Sequence, residues 1–287
     1  MQPLLFGVNV STSAEADPVS QARAAEDLGF DFVSASDHPS GSHPTYETWT
    51  MLTWIAASTS RISVASRVLS LPFRSPALVA KMAESLDRLS GGRLILGLGA
   101  GATDPELHAF GLPVPSVSEK MVGLADALHV IRGLWAQPAF SYRGTVHQAN
   151  AAEMEPKPNR AIPIWLGTFG DRALAMTGQY ADGWIPSLGY APFDQLAAMR
   201  GKVLAAAEGA GRAPDDIVCA INLEIRIDDS DRDPDVLTGS AEQIVARLRE
   251  LVEIGFTAFN FMPDDRRRAE QVKRLAGEIL PALRASA

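Results

Sequence analysis

The run Asp37-His38-Pro39-Ser40-Gly41-Ser42-His43 brings a carboxylate and two imidazoles together at the end of a short apolar stretch. A carboxylate can orient a substrate and an imidazole titrates near neutrality, so Asp37 and His38 read as candidates for moving protons. The same residues allow two other readings: Asp37 capping a turn beside a half-exposed His38, or His38 and His43 as a pair of metal ligands. No second cluster with metal-ligand spacing stands at the other strand ends.

Two glycine-bearing turns follow. Gly97-Leu98-Gly99-Ala100-Gly101-Ala102 places small residues where a flat ligand or a phosphate could approach the backbone, or where barrel packing simply demands them. It is not a dinucleotide fingerprint, because the G-x-G-x-x-G spacing is absent and Pro105 follows at once. Gly167-Thr168-Phe169-Gly170-Asp171-Arg172 opens directly into a helical pattern, so free amides and the helix dipole would meet an anion there. Arg172 could add charge. Asp171, as an N-cap, would instead compete for the same amides.

These turns need strands to carry them. Short apolar or β-branched runs at 6–10, 32–36, 62–69, 93–98, 162–166, 183–186, 218–227 and 257–261 alternate with helical patterns at 19–28, 46–58, 77–89, 118–134, 172–180, 193–208, 241–253 and 266–283. Gly29, Gly91 with Gly92, and Gly255 supply helix stops. Eight strand–helix units in 287 residues predict a (β/α)8 TIM barrel as a single domain over 1–287. Residues 139–157 break the alternation, with a strand turning at Gly144, and read as an insertion after the fourth helix. The other strand ends add Ser187, Gly189, Asn222, Glu224, Asn260 and Met262. The mouth they outline is a slot for a flat, partly apolar ligand rather than a carboxylate-rich hydrolytic centre.

Composition narrows the class. A net charge of −8, from 34 acidic and 26 basic side chains, argues against nucleic acid as a partner. The lone Cys219 sits in an apolar run and reads as a buried thiol, which fits the cytoplasm. No apolar run is long enough for a membrane span, no G-x-S-x-G or P-loop motif occurs, and the acidic run 228–235 reads as a solvated loop without the Gly and Glu of a calcium loop. Trp49, Met51, Leu52, Trp54 and Ile55 give the second helix more apolar bulk than one stripe needs, which would suit a homodimer surface or ordinary packing on the barrel.

Ser36-Asp37-His38, the stretch Val68-Leu69-Ser70-Leu71-Pro72-Phe73-Arg74-Ser75-Pro76, the longer Leu86-Asp87-Arg88-Leu89-Ser90-Gly91-Gly92-Arg93-Leu94-Ile95-Leu96-Gly97-Leu98-Gly99-Ala100-Gly101, and Pro163-Ile164-Trp165-Leu166-Gly167 through Ala181-Asp182-Gly183-Trp184 together resemble the luciferase-like monooxygenases, in particular their deazaflavin-dependent branch. With Ala109-Phe110-Gly111-Leu112-Pro113 the resemblance covers most of residues 1–190. It implies a TIM barrel holding coenzyme F420, or FMN, at its carboxyl-terminal mouth. By that resemblance Asp37 would lie against the ring system and His38 would assist proton transfer. A bulge with a non-prolyl cis peptide would fall near Arg67 and Val68, beside Leu69 and Ser70. Gly99, Ala100, Gly101 and Ala102 would flank the cofactor, and Gly167, Thr168, Phe169, Gly170, Asp171 and Arg172 would hold its phosphate.

The expected activity is an F420-dependent oxidoreductase moving a hydride between the deazaflavin and a small organic substrate. The alternatives are an FMN-dependent monooxygenase, a cofactor-binding barrel without turnover, and, from another class, a metal-dependent barrel hydrolase using Asp37, His38 and His43. Ala102 stands where the family's sugar-phosphate dehydrogenase has Glu, and Ser187-Leu188-Gly189-Tyr190 lacks a phosphate-binding Lys, so glucose 6-phosphate is not the expected substrate.

Overall fold

The computed structural model describes residues 3–228, 235–264 and 267–285. In chain order the elements are β1 (Leu5–Asn9), α1 (Pro18–Asp27), β2 (Phe32–Ala35), α2 (Thr48–Ser58), β3 (Ser63–Ser66), β4 (Leu69–Ser70), α3 (Pro76–Ser90), β5 (Leu94–Gly99), α4 (Asp104–Ala109), α5 (Val117–Ala136), β6 (Ala139–Arg143), β7 (Gln148–Glu153), β8 (Ile164–Leu166), α6 (Asp171–Tyr180), β9 (Gly183–Trp184), α7 (Leu196–Gly209), β10 (Val218–Ile227), β11 (Val236–Gly239), α8 (Ala241–Ile254), β12 (Ala258–Pro263), α9 (Arg268–Arg274) and α10 (Leu280–Arg284). Short apolar strands alternate with capped amphipathic helices. Ser116 with Glu119 and Ser240 with Gln243 form capping boxes at the starts of α5 and α8. Gly91 (φ 75°) and Gly255 (φ 104°) end α3 and α8 in the left-handed conformation that the sequence assigned to them.

Parallel pairing runs β1-β2-β3-β5-β8-β9, and β12 and β10 continue the sheet from the other side of β1. Pairing of β9 with β10 closes the ring. All eight predicted strands lie in this barrel, and the fold is the expected (β/α)8 barrel. The predicted insertion is the antiparallel hairpin β6–β7, which follows α5. Asp126 of α5 pins it, accepting from the Val146 (2.7 Å) and His147 (3.1 Å) amides and the Tyr142 hydroxyl (2.9 Å).

Inward-facing residues recur at every second position and stack in layers. The lowest is apolar: Phe32, Ala65, Ile95, Trp165, Ile185, Ala220 and Ala258. Phe32 meets Trp165 edge to face at 5.7 Å. Above it runs a polar chain. The Ser34 hydroxyl donates to Asn260 Oδ1 (2.9 Å), Asn260 Nδ2 donates to Asn222 Oδ1 (2.7 Å), and Asn222 Nδ2 donates to Ser187 Oγ (3.2 Å). Buried amides cost little when each finds a partner, and here they tie β2, β12 and β10 to the segment after β9.

The predicted strand 62–69 is broken in two. Ala65 pairs with Ile95 and Leu69 with Leu98, so one extra residue bulges on the β3–β4 side. The Arg67–Val68 peptide within the bulge is cis, at the expected place. The Val68 side chain fills space that the neighbouring glycines leave. A Cβ at Gly99 would lie 2.8 Å from Val68 Cγ2, one at Gly167 3.2 Å from the same atom, and one at Gly97 would strike the Ser66 carbonyl. α4 and β11 are further elements without a predicted counterpart. The acidic run's residues 229–234 and the start of the last predicted helix, at 265–266, lie outside the described residues.

Cys219 is buried, and burial pushes its thiol up from the ordinary cysteine range. Trp49, Met51, Leu52 and Ile55 of α2 are buried within the chain itself, and only Trp54 among the five is exposed, at 66%. Most of the helix's apolar bulk therefore serves ordinary packing. Replacement Gly97→Ala forces the bulge away from β5 and lowers stability by about 3 kcal/mol, read as a fall in the urea midpoint at unchanged slope.

Candidate functional site

The carboxyl ends of the eight strands converge on one mouth, and Asp37 and His38 stand on it side by side with opposite fates. Asp37 is buried. Its Oδ2 accepts from the Ser70 amide (2.9 Å) and from Arg74 Nη1 (2.7 Å), and its Oδ1 accepts from Arg74 Nη2 (3.0 Å). The guanidinium fork matches the carboxylate in bidentate fashion. Arg74 Nη2 also donates to Glu47 Oε1 (2.6 Å), and Glu47 in turn caps α2 through the Trp49 and Thr50 amides. Burial alone would lower the Arg74 pKa, but its bonds to Asp37 and Glu47 raise it above the ordinary arginine value. Asp37 thus fastens the second strand's end to the segment after the bulge.

His38 is open to the mouth, with 56% of its side chain exposed. Its Nδ1 lies 2.8 Å from Oε1 of Glu106. Glu106 stands on α4, and the Lys120–Asp104 ion pair joins α4 to α5. With Nδ1 engaged, Nε2 is the ring nitrogen left for a ligand. Sequence reasoning passed over Glu106 because α4 was not predicted, although Thr103-Asp104-Pro105-Glu106 carries a helix-start pattern. It also passed over Arg74, whose signal was a lone cation in the apolar Leu71-Pro72-Phe73 turn. His43 is exposed, and among the described residues no group of three His, Cys, Asp or Glu side chains is placed to hold a metal ion.

Among the described residues, four buried polar atoms without a hydrogen-bond partner belong to segments at this end: Asn9 Oδ1, Arg67 Nε, Ser70 Oγ and Glu106 Oε2. They come from β1, the bulge, β4 and α4. Such atoms are rare in a folded chain and cost free energy unless a ligand or water completes them. Arg67 keeps a small opening to the mouth while protein crowds it, and loss of hydration lowers its pKa to about 10. Asn9 and Arg268, whose guanidinium donates to the Asn9 carbonyl, also line a cleft of about 890 Å³ leading outward between α1 and α9.

The glycines of the two turns serve the bulge before they serve any ligand. Gly97, Gly99 and Gly167 make room for Ser66 and Val68, and Gly101 (φ 88°) packs against Pro72 and Ser70 Oγ. Ala100 and Ala102 continue the same loop toward α4. After β8, Thr168 is buried, its hydroxyl 2.7 Å from that of Thr177, and its carbonyl accepts from Trp184 Nε1. Gly170 is the N-cap of α6 and offers no side chain, while Asp171 turns outward to Lys202 at 2.6 Å. Asp171 therefore does not cap the helix, as one reading of the sequence had it, and the α6 amides keep no side-chain partner. Arg172 is exposed on the same turn. Phe169 and Tyr190 meet at 5.6 Å, and Phe73 and Phe110 at 6.0 Å. They give the rim partly exposed aromatic faces suited to a flat ring.

A profile described as luciferase-like monooxygenase matches residues 5–235 of this chain. The chain is similar to an F420-dependent glucose-6-phosphate dehydrogenase of Microbacterium testaceum, 31% identical over 199 residues that cover 66% of this chain and 58% of that protein. It spans less than two thirds of that relative's length. Its fold is similar to that of an F420-dependent secondary alcohol dehydrogenase in complex with an F420-acetone adduct, with a TM-score of 0.87 at 19% identity over 98% of this chain and 99% of that one. A coenzyme F420 dependent tetrahydromethanopterin reductase from Methanopyrus kandleri superposes with a TM-score of 0.84 at 20% identity, over 98% and 99% of the two chains.

Asp37→Asn leaves the Arg74 fork half satisfied in a buried setting. It lowers stability by about 3 kcal/mol, and Arg74→Lys, which keeps the charge, lowers it less; thermal unfolding of the two variants measures the difference.

Proposed function

The chain belongs to the luciferase-like monooxygenase family, and from that premise we propose that it is an F420-dependent oxidoreductase, one barrel domain acting on a small organic substrate. The observation that carries this reading is His38, exposed in the mouth with Nδ1 held by Glu106 at 2.8 Å. A half-buried carboxylate behind an imidazole fixes the ring's orientation and engages Nδ1, so Nε2 is the nitrogen that faces the mouth to give or take one proton.

The residues present fit the cofactor. Orphaned polar atoms of Asn9, Ser70 and Glu106 stand where a polar ring edge would lie. The backbone of Arg67, Val68, Leu69 and Ser70 would back that ring, with Gly99, Ala100, Gly101 and Ala102 at its flank. The α6 amides with Gly167, Thr168, Phe169, Gly170, Asp171 and Arg172 would hold the phosphate. Coenzyme F420, when bound, supplies a hydride donor or acceptor at C5 of its deazaflavin ring. The protein orients the substrate, excludes water with its aromatic rim and, through His38, delivers the proton that completes a two-electron reduction. Asp37, fully paired with Arg74, holds the loop in place.

The substrate differs from that of the glucose-6-phosphate dehydrogenase relatives, because Ala102 brings no carboxylate and Ser187 to Tyr190 no Lys. We place the protein in the cytoplasm, on the strength of its single buried thiol. Among the described residues no helix is long and apolar enough to cross a membrane. A homodimer would be joined through the exposed Trp54 of α2, so Trp54→Glu shifts the mass measured by light scattering to that of one chain.

Fluorescence titration distinguishes the cofactors: F420 binds tightly and FMN weakly, and tight FMN binding with none to F420 overturns the reading. His38→Ala keeps F420 affinity and loses turnover by about 100-fold or more, whereas Glu106→Gln, which weakens the hold on Nδ1, loses about tenfold.

A further inference from the structure

The resemblance accounts for residue 67 through its backbone. Its side chain is a separate matter. Arg67 follows Ser63 and Ala65 on the inward-facing positions of β3, and Ala65 belongs to the barrel's apolar floor. The guanidinium therefore rises from the floor into the mouth. It makes no hydrogen bond or ion pair among the described residues, and Nε is buried without a partner.

Two other charges act on it, those of Glu224 and Arg268. Glu224 is inward-facing on β10, in line with Ala220 and Asn222, and β10 lies four strands from β3 around the ring of eight, directly across the mouth. Arg268 begins α9 just after β12, the strand next to β10. Arg67 thus stands as a desolvated cation in a chain whose net charge is −8. The acid makes no ion pair with Arg67. A desolvated cation with free donors is costly unless an anion completes it. The α6 turn, after β8 and two strands round the ring from β3, is the place proposed above for the cofactor's phosphate, which on that reading does not need Arg67.

We propose that Arg67 binds the carboxylate of the substrate, and that the protein acts on small organic acids. The guanidinium fork accepts a carboxylate in bidentate fashion and so fixes the acid's orientation above the barrel floor. The assignment of a substrate rests on the oxidoreductase reading, whereas the anion site itself does not.

The test uses benzoate and its neutral analogue benzamide as probes on the whole, cofactor-free protein, followed by calorimetry. Benzoate binds about tenfold or more tightly than benzamide. Arg67→Met abolishes the preference, Arg67→Lys keeps part of it, and Glu224→Gln tightens benzoate several-fold by removing a carboxylate whose charge offsets Arg67. Equal binding of the two probes by the unaltered protein overturns the proposal, and that result needs no variant to fold. F420 titrations form the second arm. Unchanged affinity in Arg67→Met is expected, and its loss would assign Arg67 to an anionic group of the cofactor and overturn the substrate assignment. Failure of the unaltered protein to bind F420 would sink the oxidoreductase reading and leave the benzoate result standing. With F420 bound, turnover of matched acids and methyl esters follows the same order: a preference for the acid that Arg67→Met erases.

Discussion

Val68 wedged against three residues without side chains is the contact on which the mouth depends. A valine at that point can enter the seam between β3, β5 and β8 only because Gly97, Gly99 and Gly167 present no Cβ to it. Interiors are packed as closely as molecular crystals, so the choice is close to binary: the glycines stay, or the bulge moves. Everything functional downstream follows from where the bulge sits. It turns Arg67 toward the lumen, sets Ser70 under Asp37, and starts the turn that delivers Arg74.

The charges of the mouth are then divided by partnership. Asp37 has a full set of donors and acts as a fastening. Glu106 has one partner, His38, and one oxygen left over. Arg67 has none. A group whose bonding is complete has little to offer a ligand, and one whose bonding is incomplete in a dry place pays a standing cost that a ligand can relieve. By that measure the groups left open are His38, Arg67 and the other orphaned atoms of this end. The glycine turns belong first to the scaffold, although the backbone they expose still lies along the mouth.

The protein is acidic while its barrel mouth holds a desolvated arginine, Arg67. Net charge governs solubility and long-range encounter, whereas a site is governed by the few charges that share a desolvated space. The total of −8 is carried largely by exposed carboxylates in high dielectric, where ion pairs such as Arg247–Glu250 and Arg267–Glu270 contribute little. Arg67 acts from inside, where each charge counts for more.

Much of the architecture was legible before any coordinates. The eight strands, the insertion at 139–157 and the stops at Gly91 and Gly255 are local in origin: alternation, helical period and φ > 0 are written in adjacent residues. His38 and Asp37 were legible as residue types at a strand end. Their division of labour was not, because Arg74 and Glu106 lie 37 and 68 residues away from Asp37 and His38, and nothing in the local pattern says which distant side chain will arrive. The same holds for Gly97, Gly99 and Gly167, whose need for small size is imposed by Ser66 and by Val68 in the bulge, and for Arg67, whose lack of a partner among the described residues is a property of the closed barrel. Sequence by itself determined the elements and the chemical types at their ends, since those depend on short-range sterics and periodicity. Tertiary structure alone decided which of those groups are satisfied and which stay open to a ligand, since that depends on burial and on contacts between segments far apart in the chain.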